Sequence, residues 1–128
     1  MLATFLASFI SLSVISQEAK PDPRENVDTA VKEAIRLVEA KEIATFIMQF
    51  AHPDDLKKIL KGKTIEELAE QFSAQKSANL LLALKEIDGK KPELSEDGTQ
   101  AMFKVDLKTA PGGRIVFQKS GKLWYIRN

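Results

Sequence analysis

The feature that most constrains the fold of this chain is a change of hydrophobic periodicity near Lys90. Before this residue, apolar side chains recur every three to four positions, which is the spacing of amphipathic helices. After it, apolar and polar residues alternate, which is typical of half-buried strands. Helices followed by strands predict an α+β fold, with N-terminal helices packed on one face of a C-terminal antiparallel β-meander of three to four strands.

Five helical segments are predicted before the change. Residues 22–25, Asp-Pro-Arg-Glu, have the composition of a helix start, with Asp as cap and Pro at the first helical position. An apolar stripe from Val27 to Val38 follows and predicts a helix of about sixteen residues. A second stripe, from Ile43 to Phe50, has a different phase and indicates a turn near Lys41.

Three further helices are predicted from their start and stop signals. His52 precedes a proline and two aspartates, which favour a helix N-terminus, and Gly62 is expected to cap the end of this helix. Thr64 and Glu67 have the spacing of a capping box for the next helix. The last helix carries the apolar residues between Leu80 and Ile87.

The strand half ends in a predicted hairpin. Residues 120–121, Ser-Gly, are expected to form its two-residue turn, which places Phe117 opposite Trp124 and Ile115 opposite Ile126. Directly opposite residues share one face of a sheet. The predicted core face therefore consists of Phe103, Val105, Ile115, Phe117, Trp124 and Ile126.

The opposite face of the sheet is more apolar than a solvated face requires. Its predicted members are Met102, Val116, Leu123 and Tyr125. Exposed apolar patches often mark protein contacts. We therefore expect these four residues to form an interface, with a homodimer through the outer sheet face as one outcome.

Residues 1–16 contain no charged side chain, and all charged side chains of the chain follow them. An uncharged apolar run that ends in small residues predicts a secretory signal peptide. The expected organisation is a signal peptide (1–16), a linker (17–24) and one α+β domain (25–128), in a protein that is exported to the periplasm or secreted. A buried N-terminal helix and a retained membrane anchor are the alternatives, although the run is shorter than the ~20 residues of a span.

Composition excludes several classes of site. The chain has no cysteine, so it has neither disulfides nor thiolate metal sites nor a cysteine nucleophile. Its formal net charge is +1, which gives no reason to expect nucleic acid as a partner, or a membrane beyond the signal segment. No cofactor is expected.

The helical half and residues 120–126, Ser-Gly-Lys-Leu-Trp-Tyr-Ile, resemble the nuclear-transport-factor-two-like (NTF2-like) superfamily, a cone-shaped α+β scaffold. The last segment is similar to the Gly-Lys-Trp-x-Ile strand that closes many small exported bacterial domains of that superfamily. The resemblance implies a pocket between helices and sheet, and dimers through the sheet face. It implies no particular reaction, because members include isomerases, dehydratases and binding proteins.

The residues with chemical potential are few. His52 is the only histidine, and it is either a general base or metal ligand with Asp54 and Asp55 as partners, or a residue of a helix start. No catalytic set and no metal site is predicted. The predicted ligand-binding residues are Phe50, His52, Phe103 and Tyr125. Phe46 and Phe72 are expected beside Phe50 and Phe103 if a cavity exists.

Two functions remain open on this sequence. The first is an exported, non-catalytic binding or protein-interaction module of unknown ligand, which follows from the missing catalytic set and the semi-apolar outer sheet face. The alternative is a pocket protein for a small apolar ligand, or an isomerase- or dehydratase-like enzyme, with a cavity between helices and sheet.

Overall fold

A computed structural model describes residues 21–106, 108, 110 and 112–127 of the chain. The predicted signal peptide (1–16), residues 17–20 of the predicted linker and Leu107 of a predicted strand lie outside these residues. Within the described part, five α-helices precede a four-stranded antiparallel sheet, so the predicted α+β class is confirmed.

The order of elements along the chain is simple. The helices are α1 (Val27–Glu39), α2 (Ile43–Phe50), α3 (Pro53–Ile59), α4 (Ile65–Gln75) and α5 (Ser77–Ile87). The strands are β1 (Glu93–Leu94), β2 (Gln100–Lys104), β3 (Arg114–Ser120) and β4 (Leu123–Ile126). Neighbouring strands in the sheet are consecutive in the chain, which makes the sheet a meander. None of the helices in the described residues is long and apolar enough to cross a membrane.

The predicted helix start at Asp22 begins a single 3-10 turn, Pro23–Glu25, instead of the first long helix. Asp22 and Glu25 form both hydrogen bonds of a capping box there. The backbone is extended again at Asn26 (φ −124°, ψ 142°), so α1 begins at Val27 and has 13 residues. The prediction of one helix of about sixteen residues was wrong, because a capping box satisfies the donors of a first turn and does not set how far the helix continues.

The predicted turn between α1 and α2 is confirmed at Lys41. The Lys41 N–H donates to the Val38 carbonyl (3.1 Å) and the Glu42 N–H to the Leu37 carbonyl (2.9 Å). These are the two hydrogen bonds of a Schellman motif, which places its left-handed residue just beyond the helix. Lys41 is that residue, with φ 61°, and among the described residues it is the one non-glycine with positive φ.

The end of α3 differs from the prediction. The helix ends at Ile59, and its C-cap Leu60 keeps right-handed angles (φ −72°, ψ −5°). Gly62 follows in a turn, where its N–H donates to the Ile59 carbonyl (3.2 Å), and it is not among the glycines with positive φ. The prediction of Gly62 as a helix cap was therefore wrong. The capping box of Thr64 and Glu67 at the start of α4 is confirmed.

The hairpin between β3 and β4 turns one residue later than predicted. Ser120 pairs with Leu123 and Phe117 pairs with Ile126, so the loop is Gly121-Lys122 and the predicted Ser120-Gly121 turn was wrong. Positive φ occurs at Gly121 (66°) and not at Lys122, which is typical of a type II′ turn with glycine in first place.

This change of turn leaves the two faces of the sheet as predicted. The partner of Phe117 moves from Trp124 to Ile126, which is a shift of two positions. Because side chains alternate with a period of two, such a shift keeps every residue on its face. The buried residues of the core face are Ala101, Phe103, Val105, Ile115, Phe117 and Trp124, and Ile126 packs against them.

The tight turn between β1 and β2 depends on one carboxylate. Asp97 Oδ1 accepts hydrogen bonds from the Ser95 hydroxyl (2.7 Å), the Thr99 hydroxyl (2.8 Å) and the Thr99 N–H (3.1 Å). These bonds, with that of Ser95 contributing most, lower the pKa of Asp97 from 3.8 to about 2.

We expect Gly121→Ala to destabilise the protein by about 1–2 kcal/mol, because an L side chain is strained at positive φ. The control is Gly62→Ala. Gly62 has an ordinary φ and a Cβ there would meet nothing within 4 Å, so we expect this change to be neutral or to stabilise by about 0.4–1 kcal/mol. Urea denaturation of both variants measures the difference. Equal losses in the two variants would contradict the observed hairpin turn.

The lowered pKa of Asp97 makes a prediction about acid. A carboxyl whose pKa falls on folding stabilises the folded state above its unfolded pKa, and this contribution is lost as pH falls through the folded pKa. We therefore expect the stabilisation from Asp97 to be complete above about pH 4 and to disappear towards pH 2. Carboxyl NMR shifts recorded during a pH titration check this. An Asp97 midpoint near 3.8 would contradict the hydrogen-bonded turn.

Candidate functional site: an apolar cavity between helices and sheet

A cavity of about 680 Å³ lies between the helices and the core face of the sheet. Helices α2, α4 and α5 supply most of its walls, and β3 and β4 supply single residues. The residues that line it are Phe46, Ile47, Phe50, Ala51, Ile59, Leu68, Phe72, Gln75, Lys76, Asn79, Leu80, Ala83, Ala110, Ile115 and Ile126. This is the position at which the resemblance to the NTF2-like superfamily implied a pocket.

Helical periodicity explains which residues reach the cavity. On α4, Leu68, Phe72 and Gln75 lie four and three positions apart and so share one face of the helix. Across the junction into α5, the same spacing continues through the residues that follow: Lys76, Asn79, Leu80 and Ala83. Two helix faces that diverge from one junction thus form two walls of the cavity.

Aromatic rings form the wall between α2 and α4. The Phe46 ring stacks on the Phe50 ring with centroids 5.5 Å apart, and it contacts the Phe72 ring at 5.8 Å. Phe46 and Phe50 are buried, whereas Phe72 is half-buried. Helix α4 has no fully buried residue, so it covers the cavity from outside and is held by partly exposed contacts.

The four predicted ligand-binding residues do not form one group. Phe50 lines the cavity, with 1% of its surface exposed. Phe103 does not line it and packs edge-on against Phe117 in the core, with centroids 6.0 Å apart. His52 and Tyr125 lie next to each other outside the cavity, with ring centroids 5.8 Å apart. Their role in ligand binding stays a prediction.

His52 has a clear local role at the start of α3. It is buried, with 5% of its surface exposed, and its Nδ1 accepts the backbone N–H of Asp54 at 3.2 Å. An Nδ1 that accepts a hydrogen bond carries no proton, so the neutral ring holds its proton on Nε2. Of the two expected carboxylate partners, Asp54 lies 3.8 Å from Nδ1, while Asp55 pairs with Arg127 at 3.1 Å.

Tyr125 is tied to the first turn of the described chain. The Arg24 guanidinium lies 5.9 Å from the centre of the Tyr125 ring and donates to the Gln49 carbonyl at 2.9 Å. Asp22 holds this guanidinium through two hydrogen bonds, the longer of them 3.2 Å. The same contacts with Arg24 lower the pKa of Asp22. Arg24 thus links the 3-10 turn, the end of α2 and β4.

The predicted outer-face residues do share a face. Met102 pairs with Val116 across β2 and β3, and the pairs of β3 with β4 place Leu123 and Tyr125 on the same side. All four are half-buried. Because Arg24 and His52 contact Tyr125, the face is partly covered by the protein itself at this end. The proposed interface between copies stays a prediction.

Three polar residues of the cavity carried no signal in the sequence. Gln75, Lys76 and Asn79 are exposed and lie together at the α4–α5 junction, where no glycine, proline or known motif marks them. In the described residues, no group of three or more His, Asp or Glu side chains is arranged to hold a metal ion.

Comparison of the chain with models of protein families, with curated proteins and with solved structures finds no match. The resemblance to the NTF2-like superfamily therefore stays a hypothesis, and the functional argument depends on the cavity alone.

We expect His52→Ala to destabilise the protein by about 1–2 kcal/mol, because it removes the side-chain cap of α3. His52→Asn is the matched variant, since asparagine is among the best caps, and we expect it to recover part of the loss. The midpoints of urea denaturation measure both effects. If the two variants lose the same stability, His52 stabilises the protein through packing of its ring and not through the helix cap.

Proposed function

We propose that this protein is a non-catalytic binding module whose ligand is a small, mainly apolar molecule held in the cavity between helices and sheet. The observation that carries this proposal is the cavity itself. Its volume of about 680 Å³ lies within the range of roughly 300–1,000 Å³ that is typical of small-molecule sites.

The lining favours an apolar ligand. Apart from Gln75, Lys76 and Asn79, every residue that lines the cavity is apolar. An apolar ligand gains roughly 25 cal/mol for each Å² that it removes from water. The polar groups are confined to one end, so a ligand's apolar body can fill the rest without leaving a buried polar group unpaired.

The same lining favours binding over catalysis. General acid–base chemistry most often uses His, Asp or Glu, and less often Lys, within hydrogen-bond reach of the reacting group, and Lys76 is exposed at the edge of the cavity. The three commoner residue types are His, Asp and Glu. None of these residue types occurs among the described residues that line the cavity, and His52 and Tyr125 lie outside it. An isomerase- or dehydratase-like reaction therefore has less support than binding.

The position of α4 supports access for a ligand. This helix forms the outer wall of the cavity with the half-buried side chains Leu68 and Phe72, and has no fully buried residue. Elements with few buried contacts open at low free-energy cost. We expect displacement of α4 to expose the cavity at the cost of its contacts with α2, while the contacts of α2 with the sheet remain.

We propose further that binding takes place after export, in the periplasm or outside the cell. What supports this part is the uncharged run of residues 1–16 at the N-terminus, a pattern typical of a signal peptide. These residues lie outside the described part, so the support comes from the sequence alone.

The test is a substitution that places a larger side chain in the cavity. Leu80 is half-buried and lines the cavity, so we expect Leu80→Trp to occupy its volume and to weaken binding of the fluorescent apolar probe N-phenyl-1-naphthylamine at least about tenfold. The matched control is Leu82→Trp on the same helix, because Leu82 is 56% exposed and does not line the cavity. Titration of the probe into residues 17–128 of the wild type and of each variant measures the affinities, and circular dichroism verifies folding.

Two results would contradict the proposal. One is a wild-type protein that does not bind the probe at all. The other is an equal loss of binding in the Leu80 and Leu82 variants, which would place the probe on the surface of α5. Native mass spectrometry of residues 17–128 gives an independent readout, because a retained ligand appears as a mass excess that disappears on denaturation.

A further inference from the structure

The cavity has one polar end, at the junction of α4 and α5. Gln75 is the last residue of α4, Lys76 is the junction residue, and Asn79 lies in the first turn of α5. All three side chains are exposed at the edge of the cavity. They are its only polar lining residues in the part of the chain that the structure describes.

The polar end carries a positive charge without an internal partner. Among the described residues, Lys76 makes no salt bridge, although seven other pairs of a Lys or Arg with an Asp or Glu occur within 4.0 Å. No Asp or Glu lines the cavity. The acidic residues Glu67 and Glu70 of α4 line an adjoining depression together with Lys63, and Gln75 borders both that depression and the cavity.

Two helix ends of opposite polarity meet at this end of the cavity. Helix α5 has 11 residues, and its N-cap Lys76 makes no side-chain hydrogen bond to the first N–H groups. The positive N-terminus of α5 meets the negative C-terminus of α4, whose C-cap is also Lys76, so the two helix dipoles offset each other and the Lys76 ammonium is the charge that remains. The α5 residues Asn79, Leu80 and Ala83 then continue into the apolar part of the cavity.

We propose that the ligand is an amphipathic carboxylate: an apolar chain in the cavity and a carboxylate head at the α4–α5 junction, paired with Lys76 and within reach of the Asn79 and Gln75 amides. This inference rests on the proposed binding function and specifies the class of ligand. A carboxylate accepts hydrogen bonds from both an ammonium and an amide, which matches the donors at this end. A cationic head group would be repelled by the Lys76 ammonium.

The experiment compares two probes with the same chain and different heads, dodecanoate and dodecan-1-ol. The affinity of each probe is measured by its displacement of N-phenyl-1-naphthylamine from the wild-type protein and from the Lys76→Gln variant. We expect the variant to weaken dodecanoate about two- to fivefold, the range for a solvent-exposed ion pair, and to leave dodecan-1-ol unchanged. Lys76→Glu is expected to weaken dodecanoate further. Raising the salt concentration is expected to weaken dodecanoate alone.

The control is Lys57→Gln, an exposed lysine of α3 that does not line the cavity, and it is expected to change neither affinity. If both probes bind and Lys76→Gln weakens neither or both alike, the carboxylate assignment is overturned and the binding function stands. If N-phenyl-1-naphthylamine binds the wild type and neither twelve-carbon probe does, ligands with an alkyl chain are the wrong class and the inference fails. If none of the three binds, the proposed function fails with it.

Discussion

The helical half and the sheet of this protein are joined where Ala51 pairs with Ile126 in a parallel bridge at the edge of β4. This pairing fixes Ala51 at the edge of the sheet, so its chain neighbours Phe50 and His52 lie on opposite sides of that edge. Phe50 points to the cavity and is buried, and His52 lies against Tyr125 and starts α3. Together with the contacts of Arg24 and the Asp55–Arg127 pair, this bridge sets where α2 ends and α3 begins relative to β4.

The sequence was sufficient for those features in which local chemistry and periodicity agree. The capping box at Thr64 and the break at Lys41 were found because side-chain type or stripe phase determines them directly. The faces of the sheet were found despite a misplaced turn, because the error in the β3–β4 pairing was an even number of residues. Errors arose at Asp22 and Gly62, where a start or stop signal is compatible with a helix and with a single turn.

The cavity shows where prediction from sequence stops. The apolar stripes place Phe46, Phe50 and Phe72 in the buried region, whereas a pocket between helices and sheet was only implied by the resemblance to the NTF2-like superfamily. The polar end of the cavity follows from neither, because Lys76 reaches the cavity only through the angle between α4 and α5. No residue type in that junction encodes the angle: it results from how the two helices pack against α2 and α1. Phe103 was assigned to the cavity for its size, yet its strand position places it against Phe117.

The contacts of Arg24 have a consequence for the way the domain folds. The 3-10 turn at Pro23–Glu25 opens the described chain, and it packs on β4, the last described strand. The two elements are about a hundred residues apart in the chain, and contacts of such long sequence separation are slow to form. During synthesis from the N-terminus, the first turn reaches its final position only after the last strand has left the ribosome. The contact between the first turn and the last described strand therefore forms late, after the helices have been able to pack on one another.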